Sequence, residues 1–412
     1  MELHDQTPVI EIVAVIVARV LSYEVFGDSR AAGGGRGNMG RVVRILVMTE
    51  PWQAALACIQ SFGRHRHEVA VLGLRGVLSP NARSRFVCGV FRVQSESIAD
   101  PAAELTGLVK RNRIDLVVPI SDLDAEIVAA AKAASPDIRA FVTGSPEAVA
   151  VMRNRSRTAD LCRSIGVATP RSGAATSDAL AADIEAFGTP CFVKVSGSVA
   201  SSGVFRVESA EEARRLQARL AGVEELQLQE EIVGDFVDVT GFAYEGKVVR
   251  DFAFSCEYEY SLGGGVPYAR LERAPDLSET FAKIVGALQW TGGLDIDMMR
   301  PTQGPPVVLE INPRLSGKTP FAYKLGVDLP ADYAAAVSRN PRFAPAAPPA
   351  ADAPETFVTL LEEARRLAKR EPAQLAKAAK IRAERRFLDD SFWDDPGYSA
   401  ALYAATEGLL LY

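Results

Sequence analysis

The sequence predicts an α/β protein in which an N-terminal parallel-sheet domain precedes an α+β region. Between residues 42 and 148, short apolar runs alternate with helical segments, which is typical of a parallel sheet covered by helices. Further along, two pairs of apolar runs, within 191–207 and 293–317, are joined by Ser/Gly-rich or Pro/Gly-rich connections. Such connections between strands indicate hairpins.

The composition is that of an ordinary globular protein. The chain has 412 residues, 48% hydrophobic and 24% charged, enough for two or three domains of roughly 100–200 residues each. Its net charge of −6 and lack of a broad basic block argue against a nucleic-acid-binding surface. The five cysteines are scattered without a C-x-x-C spacing, which argues against a disulfide framework or zinc site and for a reducing, cytoplasmic compartment.

The first 41 residues differ from the rest of the chain. The apolar run Val9–Leu21 contains Glu11 and Arg19 and is too short to span a membrane, so we expect neither a membrane segment nor a signal peptide. We expect residues 1–41 to be a flexible or non-native extension. Met39 is the expected working start, because the recognisable domain begins directly after it.

The N-terminal domain is predicted from six segments. They are the strands Val43–Met48, Glu68–Leu74 and Leu116–Ile120, and the helices Trp52–Phe62, Ala102–Arg111 and Ala125–Ala134. Open α/β sheets bind ligands beyond the carboxyl ends of their strands. Ser121, Asp122 and Asp124 follow such an end, and they are candidates either for ligand contact or for helix capping.

The segment GLDIDMMRPTQGPPVVLEINPRLSG, residues 293–317, carries the main functional pattern. Because side chains two residues apart share a face, a symmetric turn sets Asp297 opposite Glu310 and Asp295 opposite Asn312. Like charges opposite each other are unfavourable unless a cation lies between them, and Mg²⁺ accepts carboxylate and amide oxygens. The pattern predicts a metal site with Arg314 facing the bound anion. An acidic hairpin facing solvent is the alternative.

A second functional pattern is the strand Cys191–Val195, followed by a Ser/Gly-rich loop and the strand Val204–Val207. Lys194 lies inside the first strand, where lysine is rarely buried without a partner. The loop's backbone N–H groups suit phosphate binding, and the lysine supplies positive charge. The candidate phosphate-binding residues are Ser196, Gly197, Ser198, Ser201, Ser202 and Gly203. A hairpin tip without a ligand is the alternative.

These motifs resemble the ATP-grasp superfamily, particularly the branch similar to the large chain of carbamoyl phosphate synthetase. The resemblance rests on GLDIDMM followed by LEINPRLSG, on DLVVPISDLDAEIV, on LQLQEEIVGDFVDVTGF and on their order within residues 42–340. It implies a Rossmann-like pre-ATP-grasp domain at 42–148 and an ATP-grasp domain at 149–340, divided into 149–225 and 226–340. A Pro/Ala-rich linker at 341–354 and a C-terminal region at 355–412, with a basic helix at Leu360–Lys380, complete the chain.

The resemblance also implies roles for individual residues, with ATP and Mg²⁺ or Mn²⁺ as cofactors. The implied metal ligands are Asp297, Glu310 and Asn312, and the implied catalytic residues are Lys194, Arg314, Asp297 and Glu310. Arg155 is the implied basic phosphate contact, with Arg157 as its competitor, on a single helix expected to run from Val149 to near Gly166. The implied adenine contacts are Glu230, Glu231 and Ile232. Asp235 or Asp238 must serve the ribose, because Phe236 or Val237 occupies the usual position.

The implied activity is ATP-dependent ligation of a small carboxylate to an amine through an acyl phosphate. Its partners are then small molecules, with no nucleic acid and no membrane, and a homodimer is left open as the assembly. Two alternatives belong to other classes: an ATP-binding regulatory module without catalysis, and a phosphotransferase that stops at a phosphorylated product.

Overall fold

The structure is a computed structural model of the chain. It describes residues 42–48, 52–74, 80–93, 99–195, 203–223, 225–256, 268–338, 349, 353–360, 362–363, 379–381, 387–392 and 394–410. Among these residues, no helix has both the length and the apolar character needed to cross a bilayer.

A parallel sheet in the order β3-β2-β1-β4 forms the N-terminal domain. Its elements are β1 (Arg44–Met48), α1 (Trp52–Arg64), β2 (Glu68–Leu74), β3 (Val87–Val93), α2 (Ala99–Asn112), β4 (Leu116–Val118) and α3 (Asp122–Ala134). The central strand β1 is fully buried after Arg44, because helices cover both faces of such a sheet. The predicted strands and helices of this domain are confirmed. β3 was missed. It is an edge strand on which exposed residues alternate with partly buried ones, and only Val93 is fully buried.

Two helices, rather than the single one expected, connect this domain to the next: α4 (Pro146–Arg153) and α5 (Arg155–Ser164). The one-helix prediction is wrong because Asn154 caps α5, and its side chain accepts a hydrogen bond from the Arg157 N–H at 3.0 Å. Asparagine is among the favoured residues at a helix start. The break makes Arg155 the first residue of α5.

A small antiparallel sheet follows, in the order β5-β8-β6-β7. Its elements are β5 (Ser172–Ala175), α6 (Leu180–Phe187), β6 (Cys191–Val195), β7 (Val204–Val207), α7 (Ala210–Arg219) and β8 (Leu226–Glu230). Apolar side chains of α6 and α7, among them Leu180 and Leu216, pack with Val193 of β6 and Leu228 of β8 into one core. Because β8 pairs within this sheet, the chain changes sheet after Glu230.

The large sheet has the order β13-β12-β9-β10-β11-β14-β15. Its first elements are β9 (Gly234–Tyr244), β10 (Lys247–Cys256), β11 (Tyr268–Leu271), α8 (Pro275–Leu288), β12 (Gly292–Pro301), β13 (Val307–Asn312), α9 (Thr319–Lys324) and α10 (Leu329–Ser338). One face packs on α8 and Trp290. The other packs on α9, α10 and the N-terminal domain, and carries Phe242, Phe252 and Phe254. Asp238 and Thr240 share that second face, because they alternate with Phe242 along β9.

The C-terminal region adds strands to the same sheet. β14 (Thr356–Val358) pairs antiparallel with β11, β15 (Phe387–Asp389) pairs parallel with β14, and α11 (Pro396–Leu410) follows. The predicted basic helix Leu360–Lys380 falls largely outside the described residues. The short strands bring this region back against α1 and the residues that precede β3.

Asp395 links the C-terminal region to the N-terminal domain through hydrogen bonds. It is fully buried, and it accepts hydrogen bonds from Gln60 Nε2 at 2.7 Å, from the Arg85 N–H at 3.0 Å and from Ser84 Oγ. Asp395→Ala would leave these buried donors without their acceptor. We therefore expect the free energy of unfolding to fall by about 3 kcal/mol, measured by urea denaturation. Asp394→Ala, whose exposed carboxylate pairs with Arg64, is the matched control and should cost under about 1 kcal/mol. Equal losses would contradict this role.

Candidate active site

The hairpin of β12 and β13 lies at the edge of the large sheet and carries the candidate metal ligands. Its antiparallel pairing sets Asp297 opposite Glu310 and Asp295 opposite Asn312. The structure thus confirms the register that turn symmetry and strand alternation predict. The register then shifts between Asp297 and Met298, which marks a bulge beyond these pairs.

On its other side, β12 pairs with β9, which adds a residue to each pair. Asp238 lies opposite Asp297, and Thr240 lies opposite Asp295. Directly opposed residues share a face, so two rows of side chains cross the three strands. The first row is Asp238, Asp297 and Glu310, and the second row is Thr240, Asp295 and Asn312. Of the two ribose candidates, Asp238 belongs to the first row, whereas Asp235 is exposed near the start of β9.

The charged forms of the acidic residues in these rows are disfavoured by burial and by one another. Burial, together with the charges of Asp295 and Glu310, raises the pKa of Asp297 to about 8. Burial also holds the pKa of Asp238 well above its usual range, with the neighbouring Asp295 as the next cause. These carboxylates are stable as anions when a cation lies among them. Two carboxylates and an amide, from Asp297, Glu310 and Asn312, are therefore a donor set that fits Mg²⁺ or Mn²⁺.

Arg314, just beyond β13, sits between carboxylates from two domains. Its Nη1 donates to Asp295 Oδ2 at 2.8 Å and to the Leu315 carbonyl at 3.2 Å. Its Nε lies 3.5 Å from Oδ1 of Asp122, whose Oδ2 accepts from Arg153 Nη1 at 2.9 Å. The guanidinium expected to face a bound anion is thus already held by two acids.

The sequence left two roles open for Asp122, ligand contact and helix capping. Ser121 and Asp124 form a capping box at the start of α3, which accounts for those two residues. Asp122 takes no part in that box and turns to Arg153 and Arg314 instead. Its place after a strand end at the sheet edge was the signal, but its partners could not be read from sequence.

Lys194 and Arg155 approach the hairpin from the small sheet and from α5. Lys194 is buried, and this burial lowers its pKa to about 8, although the charges of Glu310 and Asp297 oppose the shift. Arg155 Nη1 donates to the Val195 carbonyl at 3.2 Å, and its Nη2 lies 3.6 Å from Glu310 Oε1. Arg157, the competing candidate, pairs instead with the exposed Glu147. The structure therefore brings Arg155, and not Arg157, to the hairpin.

A cleft opens at this meeting point. It is lined by Asp122, Met152, Arg153, Arg155, Glu310, Ile311, Asn312 and Pro313. Within it, Arg155 Nε and Asn312 Nδ2 are buried without hydrogen-bond partners in the structure. Buried donors of this kind are available to a water molecule or an anion in the cleft.

Most of the predicted phosphate-binding residues fall outside the described part of the chain. Ser196, Gly197, Ser198, Ser201 and Ser202 lie outside the described residues, whereas the Gly203 carbonyl accepts from the Val195 N–H at 2.8 Å.

The hinge candidates lie where the chain passes from the small sheet to the large one. Glu230 Oε1 accepts from the Arg171 N–H at 2.6 Å, and Glu231 pairs with Arg206 at 2.8 Å. Ile232 follows in the connection between β8 and β9. Both acidic side chains therefore contact arginines, and the hinge role of these residues stays a prediction.

Comparisons with known proteins identify the architecture. No protein-family model matches the chain. The carbamoyl phosphate synthase large chain of Pseudomonas syringae is 29% identical over 42% of this chain, which spans only 17% of that relative. Among solved structures, an L-amino acid ligase from Bacillus licheniformis superposes with a TM-score of 0.57 and 14% identity, covering 71% of this chain and 73% of the other.

An N5-carboxyaminoimidazole synthetase from Staphylococcus aureus, solved with ADP, gives a TM-score of 0.59 at 14% identity, covering 73% of this chain and 79% of the other. The chain has the ATP-grasp fold. In this fold, Arg155 contacts both sheets: it donates to the Val195 carbonyl of the small sheet and lies close to Glu310 of the hairpin in the large sheet. Both fold expectations, the parallel-sheet N-terminal domain and the module after it, are confirmed.

Proposed function

We propose that this chain is an ATP-dependent carboxylate–amine ligase that forms an acyl phosphate and releases ADP and phosphate. One observation carries the proposal: the hairpin sets Asp297, Glu310 and Asn312 together beside two cations. Arg155 of α5 lies 3.6 Å from Glu310, and Lys194 of the small sheet is close enough for the charges of Glu310 and Asp297 to act on it. Oxygen ligands beside fixed cations are what phosphoryl transfer needs, because it depends on positioning and charge neutralisation more than on a nucleophilic side chain.

Asp297, Glu310 and Asn312 are the residues that would hold Mg²⁺ or Mn²⁺. When bound, the ion neutralises phosphate charge and orients the phosphates. The chain's own cations complete the environment. Lys194 supplies an ammonium group from the small sheet, and Arg155 supplies a guanidinium at the cleft. Both stabilise negative charge on the transferring phosphoryl group, and Arg314 adds a third positive charge beside Asp295.

In the proposed reaction, a substrate carboxylate oxygen attacks the γ-phosphorus of ATP, and the bond to the β,γ-bridging oxygen breaks to release ADP. A substrate amine then attacks the acyl carbon, and phosphate leaves with the carboxylate oxygen. We propose amino acids as the substrate class, which the structural likeness to an amino acid ligase supports.

The charge on Lys194 makes nucleotide binding depend on pH. Because its pKa is lowered to about 8, the ammonium group is present below pH 8 and is lost as the pH rises through that value. We expect the affinity for an ATP analogue to fall about tenfold between about pH 7 and pH 9. Calorimetric titration measures this. Lys194→Arg, which keeps its charge throughout, should flatten the profile. An unchanged profile in that variant would contradict the assignment.

Asp122 should matter to turnover through Arg314. Asp122→Asn removes one of the two carboxylates beside that guanidinium, and we expect ADP release to fall about tenfold without loss of folding. Glu126→Gln is the matched control, because Glu126 also pairs with Arg153 but not with Arg314. Equal effects of the two substitutions would show that only Arg153 matters.

The proposed function is tested by ADP release with ATP and Mg²⁺ across amino acids and small carboxylates, singly and in pairs. A ligase releases ADP with a particular pair, and hydroxylamine traps the activated carboxylate. ADP release without hydroxamate formation would indicate a phosphotransferase instead. ATP binding without ADP release across the panel would favour the regulatory module.

A further inference from the structure

Three aspartates, two buried and one partly buried, form a cluster on the adjacent strands β9 and β12. Carboxylate oxygens of Asp238, Asp295 and Asp297 all lie within 4.8 Å of one another. Asp238 and Asp295 are 5% and 2% exposed. Two of these residues, Asp238 and Asp295, are outside the set assigned above to the nucleotide-linked ion. Charged groups at such depth are costly unless something compensates them.

The second observation is that the cluster holds unsatisfied oxygens. Asp238 Oδ1 and Asp295 Oδ1 are both buried, and no N–H or O–H donor among the described residues hydrogen-bonds to either oxygen. Within the described residues, Arg314 pairs with Asp295 and also with Asp122 outside the cluster, and no arginine or lysine forms an ion pair with Asp238. Native proteins leave few buried polar atoms unpaired, and a bound ion is one of the causes that account for those that remain.

The chemistry of the donors identifies the ligand class. Asp238 and Asp297 are directly opposite on adjacent strands, which is unfavourable for two anions. Three carboxylates offer only hard oxygen atoms, and the described residues around them contribute no imidazole. Hard divalent cations such as Mg²⁺, Mn²⁺ and Ca²⁺ prefer this donor set.

We propose that Asp238, Asp295 and Asp297 bind a divalent cation of their own, with Asp297 shared between this position and the nucleotide-linked one. All three ligands are supplied by the protein. The cation therefore binds without nucleotide, whereas the other position, with fewer carboxylates, depends on phosphate oxygens for its remaining ligands. The inference stands independently of ligase activity, because it predicts metal uptake by the chain alone.

The experiment is a Mn²⁺ titration of the full chain, stripped with chelator and free of nucleotide, followed by the electron paramagnetic resonance signal of free Mn²⁺. We expect one tight Mn²⁺ per wild-type chain, and the same in Glu310→Gln. Asp238→Asn should bind at least about tenfold more weakly, because the charge of the ligand set falls. Asp238→Ala is the second variant, since it leaves no amide oxygen to replace the ligand.

Asp251→Asn is the matched control. Asp251 lies in β10 of the same sheet but on the opposite face, where it accepts a hydrogen bond from Ser278. Wild-type binding in this control and weak binding in both Asp238 variants would support the site. Mn²⁺ should also raise the melting temperature of the wild type, and not that of the Asp238 variants. This measurement also shows that the variants are folded.

Two outcomes would overturn the inference. Wild-type affinity in a folded Asp238→Ala chain would show that Asp238 is not a ligand. Absence of Mn²⁺ uptake by the folded wild-type chain without nucleotide would show that the cluster does not bind a divalent cation of its own. Neither outcome affects the proposed ligase function, which is read from ADP release.

Discussion

Glu310→Gln and Asp297→Asn are each expected to lower ADP release by about 100-fold or more. The two carboxylates lie opposite each other across the hairpin, and each substitution removes one anionic ligand while keeping the shape of the side chain. Folding should survive. The side chain of Glu310 is 40% exposed, and Asp297 is partly buried beside like charges. The measurement is ADP release under the conditions that support wild-type turnover.

Stability separates a catalytic loss from a folding loss in these variants. The metal-free protein should lose stability as the pH rises from about 4 through 8, because the pKa of Asp297 is raised in the folded state to about 8. Asp297→Asn removes this dependence and should leave the metal-free chain at least as stable as the wild type. Glu147→Gln is the matched control for the loss of a carboxylate, because Glu147 is a surface acid that pairs with Arg157. Full activity in both hairpin variants would overturn the metal assignment.

Arg314→Lys is expected to lower ADP release by about 100-fold and the free energy of unfolding by about 3 kcal/mol. Arg314 donates to Asp295 and to the Leu315 carbonyl while its Nε faces Asp122. A lysine ammonium has the charge but not the planar fork, so it cannot keep these contacts together. The measurements are ADP release and urea denaturation of the same preparations.

Arg300→Lys is the matched control for that substitution. Arg300 lies on β12, as the candidate ligands do, and it pairs with Glu272 at 3.0 Å and with Asp276 at 3.4 Å, away from the site. It should lose stability without a comparable loss of turnover per folded chain. Equal loss of turnover in the two variants would show that the effect of Arg314 is not specific to the site.

The hairpin could be predicted because it depends on local rules. Strand alternation and a symmetric turn are enough to set Asp297 opposite Glu310, and the structure has that register. The same locality explains why β6 and β7 were predicted with the bounds that the structure shows. Each of these segments carries its own apolar pattern.

Contacts between segments far apart in the chain could not be predicted from the sequence. The sequence predicted Asp238 only as a ribose contact. Its position opposite Asp297 depends on the pairing of β9 with β12, which no local pattern shows. The pairing of Asp122 with Arg314 joins residues 192 positions apart in two domains. The strands β14 and β15 are three residues long, too short for a periodic pattern to show.

The most direct measurement of the proposed chemistry follows oxygen-18 from the carboxylate of the amino acid that supports ADP release. If the carboxylate attacks the γ-phosphorus, one labelled oxygen must appear in the phosphate released when the amine displaces it. We predict singly labelled phosphate in step with ADP, as detected by mass spectrometry. Unlabelled phosphate, formed at the same rate as ADP, would show that water attacks ATP and that no acyl phosphate forms.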